Sequence, residues 1–302
     1  MLLHEALRIR AKNVVALTGG GGKTTLMFRL AEELVAAGRS VVTTMTTRIF
    51  VGQMARAPGR LVLSGEATLL AQLPAALAEH HHVIIAGATI VEQDKVEGIP
   101  SSLIARVAAL NTVDVVIVEA DGSRRLPFKA PAAHEPVVPP AATLVVPIVG
   151  LGVIGRPLTA MHVHRPELVA ALTGAELGDP VTPEIVAAAL AHPEGGAKGV
   201  PAAARLVPFL NQADDEPRRE VAREMARRLL TYPHADAGHP SIDSVIIGAA
   251  RTDVPAHEVW GRVTAVVLAA GSARRFGALK QVQPWRGRPL VAHVAAQALA
   301  CP

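Results

Sequence analysis

Cysteine is all but missing from this sequence: the one residue, Cys301, sits next to last. A lone thiol closes no intrachain disulfide and builds no cysteine-based zinc site. Aromatic residues are nearly as scarce, at 3%, too few for a surface on which bases stack. With a net charge of only +4 and no block of consecutive basic residues, nucleic acid is not an expected partner. No apolar run reaches the roughly 18 residues of a membrane span. The longest candidate, Ala141 to Gly155, is interrupted by Pro147 and three glycines. Met1 to Arg10 alternates apolar and charged residues, without the apolar stretch and cleavage site of a signal peptide. These absences point to a soluble, cytoplasmic protein that does not engage membranes. Lysine is also rare, with six residues in all, so a lysine inside a motif stands out.

What is present is apolar bulk. Hydrophobic residues make up 50% of 302, enough for a real core without disulfides or metals and for about two domains. Apolar β-rich runs alternate with longer helical patterns, which predicts an α/β fold with a mainly parallel sheet and helices on both faces. The expected strands are Asn13–Thr18, Ser40–Thr44, Arg60–Leu63, Val83–Ala86, Val113–Val118, Thr143–Val149, Arg205–Leu210 and Ser244–Ile247. Helices are expected over Thr24–Ala37, Ala67–Glu79 and Pro217–Leu230. The proline- and alanine-rich Leu126–Ala142 reads as an ordered loop. The boundaries that follow are a first domain over 1–250, a linker over 251–262 and a new strand-turn-helix pattern over 263–302.

The first expected strand runs into Gly19-Gly20-Gly21-Gly22-Lys23-Thr24-Thr25 and then a helix. That is the context of a phosphate-binding loop. Glycines let backbone N–H groups approach a phosphate, and a helix N-terminus adds positive potential. Lys23 can reach the β- and γ-phosphates, and the Thr24 hydroxyl can ligate Mg²⁺. The glycine usual six residues before the lysine is replaced by Leu17, so the loop is a compact variant. Downstream, Val113–Val118 ends in Glu119-Ala120-Asp121. An acid at such a strand end can hold the metal through water or orient an attacking water. Glu119 and Asp121 are both candidates; Asp121 is placed with Thr24 at the metal, while which of the two acids serves the ion stays open. Arg124, Arg125 and Lys129 follow, as phosphate contacts or as a solvated basic loop.

Asn211-Gln212-Ala213-Asp214 follows another expected strand. Guanine-reading loops carry Asn-Lys-x-Asp there, because a carboxylate can accept both N–H donors of the guanine edge. Here glutamine replaces the lysine, and a plain helix cap is the competing reading; ATP and GTP both stay open. Thr43–Thr47 could approach phosphates or simply line a strand end. His162 and His164 share one face of an extended segment and read as surface or substrate-contacting groups rather than metal ligands. His80-His81-His82 reads as an exposed turn.

A second glycine-rich turn, Ala269-Ala270-Gly271-Ser272-Ala273-Arg274-Arg275-Phe276-Gly277-Ala278-Leu279-Lys280, follows a strand over Thr264–Leu268. It resembles the opening signature of MobA-like nucleotidyltransferases. That resemblance implies that Gly271 wraps nucleotide phosphates, with Arg275 and Lys280 at the charge-neutralising positions. The segment reads as the start of a second Rossmann-like α/β domain, with nucleotidyl transfer expected only of a longer form.

The stretch Leu7 to Gly248 resembles the YqeC family of accessory proteins for selenium-dependent molybdenum hydroxylases. The matching runs are Gly19–Thr25, Val118–Pro131, His134–Pro139, His162–Glu167, His192–Pro201 and Asn211–Asp214. The resemblance implies a P-loop NTPase that uses Mg²⁺ with ATP or GTP in molybdenum-cofactor maturation. Its implied partners are a nucleoside triphosphate and either molybdopterin or an apo molybdenum hydroxylase, with a homo-oligomer left open. The competing readings are a ligase or kinase that activates a small acid, given the likeness of the loop to that of Mur-type ligases, and a non-catalytic, nucleotide-regulated binding module.

Overall fold

The computed structural model describes residues 1–232, 241–262, 267 and 279–299. The chain divides into two compact units, Met1–Gly261 and Arg262–Pro302.

The first unit is built on one large sheet. Its principal strands are β1 (Asn13–Gly19), β2 (Val41–Met45), β3 (Gly59–Val62), β4 (His82–Ala86), β5 (Val115–Glu119), β6 (Leu144–Gly150), β7 (Phe209–Asn211), β8 (Ser244–Gly248) and β9 (Ala256–Gly261). They lie in the order β9-β8-β7-β6-β1-β5-β2-β4-β3. Every pairing is parallel except β8 with β9. Parallel strands buried on both faces are near-continuous apolar runs, and β2, β4, β5, β6 and β8 are buried at every position. Each expected strand of this unit is present. Arg205–Leu210 is split at Val207-Pro208 into Arg205–Leu206 and β7, because Pro208 has no N–H to give a ladder.

Helices cover both faces. The helix α1 (Lys23–Ala36) lies on one face, where Leu26, Leu30 and Leu34 meet Val15 and Leu17 of β1. On the other, α2 (Glu66–His80) and α3 (Ser101–Ala109) pack against Val14, Val42 and Val116. Helices α5 (Pro183–Ala191) and α6 (Glu216–Thr231) pack near Ala16 and Val145. The short α4 (Pro166–Thr173) joins that cluster through Val169. Asp215 caps α6 by accepting from the Arg218 N–H at 2.9 Å.

Two expectations are corrected. The segment 251–262 is not merely a linker: β9 lies within it and pairs antiparallel with β8, Val259 opposite Ile246. Half-buried, with His257 and Glu258 interleaved, it lacks the apolar density that marks the other strands. His82 is not exposed. It starts β4 at 4% exposure and its Nε2 bonds the Thr43 hydroxyl at 2.9 Å. Burial pushes its pKa down to about 4.

In the second unit, the described elements are a 3₁₀ turn at Lys280–Val282, paired strands Pro284–Trp285 and Arg288–Pro289, and the helix α7 (Leu290–Leu299). The expected strand Thr264–Leu268, apart from Val267, lies outside the described residues. So do Gly271 and Arg275; of Lys280 only the backbone is described. Among the described residues no helix is long and apolar enough to cross a membrane.

Candidate functional site

The loop after β1 emerges from the middle of the sheet. Because β1 is flanked by β5 and β6, with Leu17 opposite Glu119 and Gly19 opposite Ile148, the glycines meet an acidic strand end on one side and bare backbone on the other. Side chains have no room there. A Cβ on Gly19 would stand 2.3 Å from the Ile148 carbonyl, and one on Gly22 would stand 2.3 Å from Asn211 Nδ2. Both residues also have left-handed φ, +85° and +134°, which glycine adopts without penalty.

The N–H groups of the loop divide into two sets. Gly19 donates to Asp121 Oδ2 at 3.0 Å, Gly20 to the Ile148 carbonyl at 2.8 Å and Gly21 to the Leu126 carbonyl at 3.1 Å. The next four, Gly22, Lys23, Thr24 and Thr25, have no acceptor among the described residues. They form the first turn of α1, where N–H groups lack helical partners and the helix dipole favours negative charge.

The two strand-end acids have separate partners. Glu119 Oε2 accepts from the Thr24 hydroxyl at 2.9 Å. Burial pushes the Glu119 carboxyl above the usual range, against the pull of the Lys23 charge and the Thr24 hydroxyl, while the Asp121 charge adds to the rise. Asp121, 2% exposed, lies 3.1 Å from the Lys23 ammonium and 3.1 Å from that of Lys129. Lys23 also donates to the Gly19 carbonyl. The structure therefore brings Glu119, not Asp121, to the hydroxyl of Thr24. Asp121 is enclosed by two lysine charges and the Gly19 N–H, which bonds its Oδ2, while its Oδ1 has the Lys23 charge beside it and no hydrogen bond among the described residues.

Lys129 is buried rather than solvated. It donates to the Gly122 carbonyl at 2.7 Å and to Glu135 at 2.6 Å, and Arg165 meets the same Glu135 oxygen at 2.6 Å. Burial raises the Glu135 pKa, but the bonds from Arg165 and Lys129 outweigh it and hold it at about 2. Sequence reasoning reached Glu135 only as part of the run His134–Pro139 and did not single it out as a site residue. Its partners lie 6 and 30 residues away, beyond any local pattern.

Asn211 and Asp214 part company. Asn211 is buried and ties two segments together: its amide donates to the Gly21 carbonyl at 2.7 Å and its Oδ1 accepts from the Ala250 N–H at 3.0 Å. Asp214 is half-exposed and pairs with Arg218 at 3.0 Å. Both line a cleft of about 1070 Å³ that runs along Gly21–Thr25 and past Glu119. The hydroxyls of Thr43 and Thr44 turn inward, to His82 and the Ile85 carbonyl, and that of Thr46 bonds the Val137 carbonyl at the surface; of that run only the following Arg48 reaches the cleft. His164 also lines it, while no cluster of three or more His, Cys, Asp or Glu able to hold a metal occurs among the described residues.

Comparison with solved structures gives loose overlaps. Chloroplast FtsY from Physcomitrella patens covers 82% of this chain at 15% identity and a TM-score of 0.39, and the chain spans 62% of that structure's length. A GTPase in apo form from Pyrococcus abyssi covers 81% at 14% identity and a TM-score of 0.32. Sequence comparison is closer. Residues 265–302 match the MobA-like NTP transferase domain. Uncharacterized protein YqeC of Escherichia coli (strain K12) is 34% identical over 201 residues, 66% of this chain and 75% of the relative. The YqeC protein family matches residues 15–167, a span holding the glycine loop, Glu119, Asp121 and His164 together. This chain belongs to the YqeC family.

Proposed function

We propose that the cleft binds a nucleoside triphosphate with Mg²⁺ and hydrolyses it, and that this turnover serves the maturation of a molybdenum enzyme. The observation that carries the reading is the row of four unpaired N–H groups, Gly22 to Thr25, beside Lys23 and the Thr24–Glu119 pair. Such a row, at a helix N-terminus, is a cradle for phosphate oxygens. The phosphates are thereby assigned to Gly22–Thr25, narrower than the whole glycine run. Lys23 exchanges its contact with Asp121 for the β- and γ-phosphates.

Thr24 and Glu119 fit a magnesium ion. Both offer hard oxygens 2.9 Å apart, and Mg²⁺ takes one or two such protein groups together with waters and phosphates. Thr24 would hold the ion directly, and Glu119 would orient it from behind or through water. Bound there, the ion neutralises charge on the phosphates. Gln53 donates to the Thr24 hydroxyl at 3.4 Å and steadies it. In the hydrolysis a water oxygen bonds to the γ-phosphorus as the bond from that phosphorus to the β,γ-bridging oxygen breaks; the nucleoside diphosphate leaves with that oxygen, inorganic phosphate is the other product, and the proton of the water passes to the phosphate products.

The nucleobase is assigned to the Asn211–Asp214 end, where Asn211 holds the Ala250 turn against the loop. Guanine is favoured over adenine there, because the Asp214 carboxylate complements its two N–H donors. The molybdenum assignment is supported by membership of the family and by the MobA-like match at 265–302.

Calorimetry of the Lys23→Ala chain tests the reading. Loss of one charge-assisted phosphate contact, worth about 1.5–3 kcal/mol, weakens nucleotide affinity by roughly ten- to a hundredfold. Unchanged affinity refutes the site.

A further inference from the structure

The cleft extends past the phosphate loop. Asn211 and the Ala250 turn flank Gly21 and Gly22 at one end, whereas Gln53 leads from Thr24 to Phe50 at the other. At that second end the lining is strongly basic. Arg125 stacks on the Phe50 ring at 4.8 Å and Lys95 at 5.5 Å. Arg124 has no hydrogen bond or ion pair among the described residues. Of the carboxylates in the lining, Glu135 is already taken by Lys129 and Arg165.

Two further features separate this end from an ordinary solvated basic surface. Arg124, Arg125 and Arg165 all have left-handed backbones, φ 51°, 65° and 62°, which a side-chain-bearing residue adopts at a cost of about 1–2 kcal/mol each. Such strain collects at functional sites. His164 is only 8% exposed and lines the cleft, and its imidazole makes no hydrogen bond among the described residues. Its ring nitrogens open on the cleft rather than being sealed in the core, so a bound group can reach them. It is placed by the pairing of Val163-His164 with Phe128-Lys129.

We propose that this end of the cleft is a subsite for a second small molecule bearing a phosphate or carboxylate group. Arg124 and Arg125 supply the charge and the His164 imidazole the hydrogen bond. The proposal rests on the nucleotide lying with its base toward Asn211, which leaves this end beyond the γ-phosphate.

The test uses the full chain saturated with Mg²⁺ and the β,γ-imido analogue of GTP, so that the phosphate loop is already filled. Inorganic phosphate and, separately, succinate are titrated by calorimetry at ionic strength held constant with chloride; the two arms distinguish the anion class. The expected result is one anion per chain, bound about tenfold or more weakly in Arg124→Gln with analogue affinity unchanged. Because Arg124 is exposed, that variant keeps its fold; His164→Gln, checked by far-UV circular dichroism, gives a second reading in the same direction. If the analogue does not bind, the nucleotide reading fails by itself. The same anion titration in Lys23→Ala then still addresses the subsite, and retained binding there supports it. Absence of anion binding, or equal affinity in the parent chain, Arg124→Gln and Arg125→Gln, overturns the proposal. So does an Arg124→Gln chain that loses affinity for the analogue and not for the anion, which would assign the arginines to the γ-phosphate.

Discussion

Replacing Asp121 by asparagine removes one negative charge from a place that water does not reach. The carboxylate is 2% exposed, and the ammonium groups of Lys23 and Lys129, 4% and 6% exposed by residue, each lie 3.1 Å from it. Lys129 keeps Glu135 at 2.6 Å and the Gly122 carbonyl at 2.7 Å, so the loss falls mainly on Lys23. Leaving one partner of a buried ion pair uncompensated costs about 3–5 kcal/mol. For a unit of this size that lowers the melting temperature by about 6–20 °C. The measurement is urea and thermal unfolding without nucleotide, followed by far-UV circular dichroism. Asp214→Asn is the control, since a half-exposed carboxylate stays within about 0.5 kcal/mol of the parent. Lys23→Met with Asp121→Asn removes the stranded charge together with its partner, so the double variant is more stable than the two single losses added together. A loss below about 1 kcal/mol in Asp121→Asn, or strict additivity in the double variant, would refute Asp121 as the counter-ion of the loop lysine.

Glu119→Gln raises the Mg²⁺ concentration needed for half-maximal turnover by about 10–100-fold while nucleotide affinity in EDTA stays level; an unchanged magnesium requirement removes Glu119 from the metal. Asp214→Asn shifts the GTP/ATP preference in competition binding, and an unchanged preference leaves Asp214 as no more than the partner of Arg218. Stability falls as pH drops below about 6.5, earlier than carboxylates alone would cause. His82 and His164 are each held down at about 4, by burial and, for His164, also by the charges of Arg165, Lys129 and Arg124. The unfolded chain therefore takes up protons between 6.5 and 4 that the folded chain refuses. Glu135, held at about 2, works the same way lower down: its contribution is present above its unfolded pKa and is lost as pH falls toward 2. Chemical denaturation from pH 7.5 to 4, with His82→Gln flattening the upper part, checks the sign.

The strands were readable because buried parallel strands are unbroken apolar runs. Helices α3, α4 and α5 were not anticipated. Residues of α5, Pro-Glu-Ile-Val-Ala-Ala-Ala-Leu-Ala, are apolar nearly all round and show no face to a periodicity argument. The glycine turn between strand and helix was readable from its own seven residues. The division of labour between Glu119 and Asp121 was not, because it depends on Thr24, Lys23 and Lys129, which come together only when β1 and β5 align. Asn211 was singled out as half of a base-reading pair. It proves to be a buried tie between the glycine loop and the Ala250 turn, and only the distant carbonyl of Gly21 and the N–H of Ala250 reveal that.

Four consecutive glycines suggest a slack loop, yet the first three N–H groups are fastened to two separate segments, the connection after β5 at Asp121 and Leu126 and the strand β6 at Ile148. The turn Gly22–Thr25 thus stands on a rigid foot, and a phosphate binding there would not first have to freeze a wandering chain. The entropy of ordering, which commonly erodes affinity, is already spent in folding. In amide exchange the loop should divide sharply. Gly20 and Gly21 exchange with the slow core of the sheet, and Gly22 to Thr25 exchange fast until a phosphate caps them.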